Sequence, residues 1–499
     1  MRFLALAAAL VLTPDLAARA DTTAILRDQG IAAALQAGLA RDGFERGSLL
    51  VLRAVETALQ TAARHGLTDR AAQMLAMRPP RGRLPRGVEP AAPDTLSRLT
   101  ATLLADLAAA RAELATDTTP FVLDLNAVWF DLDADGRRGQ GEGAAEMLLP
   151  AILPRPDLNA QAEALTTRPL EVRFDEADRD WLVAYTHMVA GMGHLLLAFD
   201  PTPVLRDLAE GQARLAMLPV VPDYYDRDAL RARLPGLEAR ANDLREQEKS
   251  LRDALQPLQD RRITLFDRAR ATADPAAKTA IEAELGAVIA EMEPMQRNAL
   301  SLVRERRAAA AELQSIRRIL NEPAISDRTP GDAAADMLRD PLTVLHVVVA
   351  ALRQPPDAAQ VQAVRDHWLA MIAANRRLWA AVAAETDNDR EWIPNDAQQS
   401  ALPVTLEPGT AEAWLTVLDE AEAVLQGRLL LPHPLLPQGV GINLASWFDA
   451  PGPVDVLAWV QGVGALPHAA RGPQISALSW QRFGALAQGR AGALALWFN

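Results

Sequence analysis

The chain has no cysteine. Without thiols there is no disulfide staple and no lipid-anchoring cysteine, so the core must hold itself together by burial alone. Positive charge is also in deficit: 51 Lys and Arg stand against 64 Asp and Glu, a formal net charge of −13. A field of that sign cannot displace counter-ions from phosphates, which excludes nucleic acid as an expected partner and disfavours anionic membrane surfaces. No G-x-S-x-G, H-E-x-x-H or G-x-G-x-x-G motif occurs, no nucleophile stands beside an evident base, and no repeat of fixed period is present.

What is present is an apolar, helix-patterned chain. At 499 residues and 49% hydrophobic composition it has enough material for two or three domains with sizeable cores. Met1 to Ala20 has a basic start at Arg2, an apolar run from Phe3 to Leu12 and the small-x-small ending Ala18-Arg19-Ala20. That pattern predicts a secretory signal peptide cut before Asp21, hence a periplasmic or secreted protein. Trp181 to Phe199 carries no charged residue, but it contains Thr186, His187, Gly191, Gly193 and His194 and is bordered by Asp178, Asp180 and Asp200. It reads as a buried central helix, and no transmembrane segment is expected in the mature chain.

Three regions follow the signal segment. Residues 21–222 read as a helical domain of Ala- and Leu-rich segments separated by Pro/Gly/Arg stretches such as Met77 to Gly82. Residues 226–322 change to long charged helices. Leu230, Leu234, Leu237, Ala241, Leu244, Leu251, Leu255, Leu258 and Leu265 recur at spacings of four and three, with Glu248 and Arg262 as polar exceptions. Ile281, Leu285, Val288, Met292, Met295, Ala299, Leu302, Ala309, Leu313, Ile316 and Leu320 do the same. The break Thr272-Ala273-Asp274-Pro275 lies between arms of equal length, with Asp274 as the cap and Pro275 in the first turn. An antiparallel coiled-coil hairpin is predicted, with arms on the order of 65 Å at 1.5 Å per residue. Pro257 and Pro294 sit almost equally far from Pro275, which predicts kinks at one height. Residues 330–499 read as a C-terminal helical domain, irregular and rich in Pro, Gly and Trp beyond Trp392. The whole chain is therefore expected to be mainly α and multi-domain.

One motif stands above the rest. Asp131 to Glu142 reads Asp-Leu-Asp-Ala-Asp-Gly-Arg-Arg-Gly-Gln-Gly-Glu, satisfying every specified position of D-x-[DN]-x-[DN]-G-x5-E. Calcium takes six to eight oxygens without strict geometry, so carboxylates at alternate positions of a tight loop can converge on it. The stretch resembles the EF-hand and shorter dockerin-like loops over these twelve residues. The resemblance implies Asp131, Asp133 and Asp135 as ligands, Arg137 through its carbonyl, a water at Gly139, and Glu142 closing the shell; Gly136 supplies the turn. Position 8, normally apolar in a paired EF-hand, is Arg138, and no second such loop occurs. A single structural clamp with affinity of about 10⁻⁴ to 10⁻³ M is expected rather than a sensor.

Other candidates are bland by comparison. His187 and His194 lie seven residues apart on one helix, roughly 10 Å along the axis, too far to share a metal, and read as core histidines. Asp387-Asn388-Asp389-Arg390-Glu391 has alternating carboxylates without a glycine turn and reads as a solvated helix end. Arg261, Leu265 and Thr272 have a spacing similar to the Arg-Leu-Ser docking motif of periplasmic adaptor proteins in tripartite efflux pumps. The lipoyl and barrel domains of that family are missing, so no function is drawn from it. The expected function is a non-enzymatic exported protein with a structural calcium loop and a coiled-coil arm for a protein partner or a second copy. The alternative is an exported hydrolase acting on cell-envelope material through Asp and Glu residues, with Trp lining its cleft.

Overall fold

A computed structural model describes residues 14–38, 43–75, 77, 89, 91–152, 165–166, 168–216, 225–271, 274–321, 341–388, 390–404, 406–488 and 490–498. The expected signal segment lies outside the described residues as far as residue 13, and so does the break at 272–273. The protein is mainly α, with a two-stranded and a three-stranded antiparallel sheet among the described residues. It forms two compact units: residues 1–213 together with 333–499, and residues 214–332.

The first unit combines what the sequence suggested as separate domains. Its centre is the helix Glu176–Ala198, packed along the helix Ala358–Ala384 and against Thr95–Leu114. The central helix starts where Asp175 accepts the N–H of Ala177 at 3.0 Å and Asp178 accepts the N–H of Asp175 at 3.3 Å, a reciprocal cap. Ala358–Ala384 starts on Asp357, which accepts the N–H groups of Ala359 and Gln360. Close packing explains one glycine: a Cβ on Gly191 would stand 2.3 Å from Nε1 of Trp368 on the neighbouring helix. By length and composition Glu176–Ala198 is the one described helix able to cross a membrane. Yet Asp178, Asp180 and Thr186 are among its buried residues, and it packs on two other helices.

Two hydrophobic cores share this unit. One gathers around Phe44, Leu59 and Leu107 from the N-terminal helices with Phe130 from the segment before the acidic loop, and the other around Trp379, Trp414, Trp447, Phe483 and Phe498. Leu125 and Phe174 pack against both. The C-terminal part is more regular than its Pro and Gly content suggested. It contains the helix Thr410–Leu425, a small sheet of Leu431–Pro432, Val440–Ile442 and Ala469–Arg471, and a final helix Ala491–Phe498 that buries Trp497 and Phe498.

The second unit is a pair of long helices, Arg227–Ala271 and Pro275–Asn321, which continue through Pro235, Pro257 and Pro294. They run antiparallel: Arg261 pairs with Glu284 nearest the break, Glu248 with Arg306 farther out, and Glu238 with Arg317 farther still. Leu244, Leu255 and Leu265 are buried against a seam of Val288, Met292 and Leu302. Glu248, the polar exception of the apolar pattern, sits in this seam bonded to Arg306 Nε at 2.6 Å, whereas Arg262 is exposed.

Candidate metal centre

The chain enters the Asp131–Glu142 loop on a strand. Phe121-Val122-Leu123 is apolar and partly aromatic, and Phe121–Asp124 pairs antiparallel with Glu171–Phe174, with the rings of Phe121 and Phe174 5.5 Å apart. The loop is thus entered from a strand, and its leaving limb, Ala144–Ile152, is helical. The two ends are tied together. Trp129 bridges Gly143, the N–H of Phe130 donates to the carbonyl of Glu142 at 2.8 Å, and the N–H of Ala144 to that of Val128 at 3.0 Å.

Inside the loop the carboxylates turn back on the backbone. Asp131 accepts the N–H groups of Asp135 at 3.0 Å and Gly136 at 3.1 Å. Asp133 accepts from Asp135 at 3.3 Å, and Asp135 from the N–H of Arg137 at 2.7 Å. Glu142, buried, accepts the N–H of Leu132 at 2.9 Å and that of Gly139. Gly136 has φ +72°, and a Cβ there would meet nothing within 4 Å, so backbone conformation rather than space calls for glycine. Arg138 does not face a partner loop: it donates to the carbonyl of Asn126 at 2.7 Å and lies 3.8 Å from Glu146.

These folds bring carboxylate oxygens of Asp131, Asp133 and Glu142 within 4.8 Å of one another. Two oxygens on opposite sides of a calcium ion, each at about 2.3–2.6 Å, span roughly 5 Å, so the three fit one such ion. Asp135 is outside that converging group, and Arg137 is tied in through its N–H. Each carboxylate oxygen that accepts a backbone bond keeps a second lone pair for a cation. Burial pushes the Glu142 carboxyl up; the N–H groups of Gly139 and Leu132 oppose this, and the charges of Asp133 and Asp131 add to it. A cation among the three would reverse the charge contribution.

The loop is anchored by residues that carry no motif. Glu56 and Gln60, on the helix Phe44–Arg64, hold the backbone of Asp131 from both sides: Glu56 accepts its N–H at 3.0 Å, and Gln60 donates to its carbonyl at 2.6 Å. Burial raises the Glu56 carboxyl, against its bonds to Asp131 and Arg53.

A second group of oxygens lies at the start of the central helix. Asp175, Glu385 and Glu391 bring carboxylate oxygens within 4.8 Å. Glu385 is pushed up to about 7, by burial first and then by the charge of Asp175, against a hydrogen bond from Gln398. Only Glu391 of the alternating stretch joins this group. Asp387 pairs with Arg173 at 2.6 Å, Arg390 pairs with Glu171, and Asp389 lies outside the described residues. Asp175 and Glu385 gave no signal in the sequence.

The histidines also acquire a partner. His367, from Ala358–Ala384, sits between His187 and His194 with ring centroids 5.0 Å from each. Its Nδ1 shares a 2.7 Å hydrogen bond with Nδ1 of His187, while His194 bonds to Gln360 at 2.6 Å. Burial, then the charge of Arg111, lowers both His187 and His367 to about 4. The three rings form a row between two packed helices, His194 stacked on His367 at 15° and His187 tilted to it at 44°. On the paired helices Arg261 is engaged by Glu284, and Thr272 lies outside the described residues. Compared with protein-family models, curated proteins and solved structures, the chain shows no match.

Proposed function

We propose that this is an exported, non-enzymatic helical protein in which Asp131, Asp133 and Glu142 bind calcium as a structural clamp, with the Arg137 carbonyl and Asp135 completing the shell. The paired helices act as a coiled-coil arm that engages a protein partner or a second copy. The observation that carries the metal reading is the convergence of three carboxylates in a loop whose first ligand is held by Glu56 and Gln60 and whose last ligand leads into a helix. Such a clamp joins the strand Phe121–Asp124 to the helix Ala144–Ile152 and stabilises local structure. In a compartment with millimolar calcium even a weak site is filled.

Calorimetric titration of the metal-stripped chain from Asp21, beside Asp131→Ala, tests this. One-site binding lost in the variant supports the clamp; no heat and no change in melting temperature at millimolar calcium removes it. The hydrolase reading has one observation in its favour, the Asp175, Glu385 and Glu391 group with Glu385 near 7, a value suited to a general acid. Cleavage of envelope polysaccharide or peptide by the wild type, abolished by Glu385→Gln, would establish that reading.

A further inference from the structure

The two long helices of the second unit meet along a seam with two unlike edges. On one edge Arg233 pairs with Glu312 and Arg261 with Glu284. Four seven-residue steps lead from Arg233 to Arg261 and from Glu312 to Glu284, so ion pairs mark this edge in register. The other edge is marked by the pair of Glu238 and Arg317. The same four steps from these two lead to Phe266 and Ile289, so two large apolar residues stand where the opposite edge has an ion pair. Ile263, one turn before Phe266, and Leu300, three turns beyond Ile289, extend the same side. All four are 48% to 61% exposed.

The charges on this side divide by helix. At seven-residue steps from Ile263 and Phe266 the first helix, Arg227–Ala271, carries Lys249, Arg252 and Arg270. At the same steps from Ile289 and Leu300 the second, Pro275–Asn321, carries Glu282 and Glu293. All five are exposed. Counted from the break, Arg270 and Glu282 come first, Ile263 and Ile289 next, and Glu293 and Arg252 after them. Beyond Leu300, Arg245 and Arg307 carry like charge at one height, which ends the complementary stretch.

We infer that this side of the paired helices is the interface with a second copy of the chain. The copies lie side by side in the same direction about a two-fold axis along the helices, the first helix of each against the second helix of the other. The inference rests on the reading of the paired helices as a binding arm. Such an axis sets Arg270 against Glu282 of the partner subunit and Ile263 against Ile289 of the partner subunit, each contact occurring twice. A two-fold axis across the helices sets each helix against its own copy, Arg against Arg and Glu against Glu, and like charges so placed are repulsive. The apolar residues supply the affinity and the charges fix the direction, because exposed ion pairs add little.

The chain has no cysteine, so single-cysteine variants report contacts between copies directly. The test follows the full wild-type chain by sedimentation velocity over a concentration series, and treats Ile263→Cys, Ile289→Cys and their mixture with a short bis-maleimide. A concentration-dependent dimer is expected, with much stronger cross-linking in the mixture than in either variant alone. Phe266→Ser, counted twice in a two-fold assembly, should weaken dimerisation by about a hundredfold. Circular dichroism confirms that each variant is folded. A wild type that stays monomeric overturns the inference and leaves the arm to a different protein. Stronger cross-linking by Ile263→Cys alone than by the mixture overturns the shared direction while keeping the arm as the contact. A dimer that neither cysteine cross-links and Phe266→Ser does not weaken places self-association elsewhere, and removes the second copy from the arm reading as well.

Discussion

The carboxylate of Glu56 accepts the backbone N–H of Asp131 at 3.0 Å, so the first residue of the acidic loop is positioned by a helix that precedes it by 75 residues. Gln60, one turn further along, takes the carbonyl of the same residue. The loop therefore does not rely on its own turns for its entry geometry.

Replacing Glu56 with Ala leaves the Asp131 N–H and the Arg53 guanidinium without this partner. The half-buried N–H loses its acceptor, and a cost of about 1 kcal/mol is expected in urea unfolding of the metal-free chain. Calcium affinity should fall as well, because Asp131 is then free to move. A variant with unchanged unfolding midpoint and unchanged calcium titration would mean that the anchoring is incidental.

Asp133 converges with Asp131 and Glu142, whereas Asp135 bonds to the loop backbone and stands outside that group. Asp133→Asn should therefore reduce calcium affinity by about tenfold or more, equivalent to about 1.4 kcal/mol, and Asp135→Asn by less. The pair is compared by calorimetry under one buffer; an equal or reversed order counts against the geometry.

Two glycines are expected to respond differently to Ala. At Gly136 the space is open and only φ +72° is at stake, so Gly136→Ala should cost about 1 kcal/mol of local strain and weaken metal binding. At Gly191 the added methyl meets Trp368, and overpacking between the two central helices should cost about 1–3 kcal/mol whatever the metal content. Thermal unfolding with and without calcium separates the two: the first penalty depends on calcium and the second does not.

These particulars show what the sequence could and could not disclose. The mainly helical character was legible because helical periodicity is a local signal, and the alternating four- and three-residue spacings lie along the two long helices themselves. The single unit formed by the first and third regions was not. It rests on Glu176–Ala198 meeting Ala358–Ala384, and an apolar face announces that it is buried without naming its neighbour. For the same reason His367 was missed beside His187 and His194, and Glu385 beside Asp175. Glu56 and Gln60 look like any polar residues of an amphipathic helix. The strand Phe121–Asp124 is only four residues long, too short for alternation to register against helical surroundings.

Glu248 bonds to Arg306 across the helix pair at 2.6 Å, with side-chain exposures of 16% and 37%. Solvent reaches Arg306, so the coupling measured by a double-mutant cycle with Ala at both positions should stay below about 1 kcal/mol. Glu248→Leu, which continues the apolar seam, is expected to raise the unfolding midpoint of the chain while making the pairing of the two helices less selective in register. Loss of stability in that variant would show that the ion pair outweighs the apolar contact it displaces.

The row of histidines sets a direction for acid sensitivity. His187 and His367 are held near 4 in the folded chain against an ordinary value of 6.5. Between these limits the unfolded chain takes up protons on both rings and the folded chain does not, so stability is full above about 6.5 and falls as pH drops towards 4. Glu385 works in the opposite sense: its folded value near 7 exceeds the ordinary 4.5, so its contribution is present below 4.5 and is lost as pH rises through about 7. The two opposing slopes overlap, so the wild-type profile alone will not separate them. His367→Gln keeps a group that can bond to His187 and removes one titrating ring. Its urea midpoint, compared with wild type from pH 4 to 7, should fall less on acidification, and Glu385→Gln should show the steeper acid loss of the histidines uncovered. Parallel profiles for wild type and His367→Gln would mean that the rings are not held neutral by their packing.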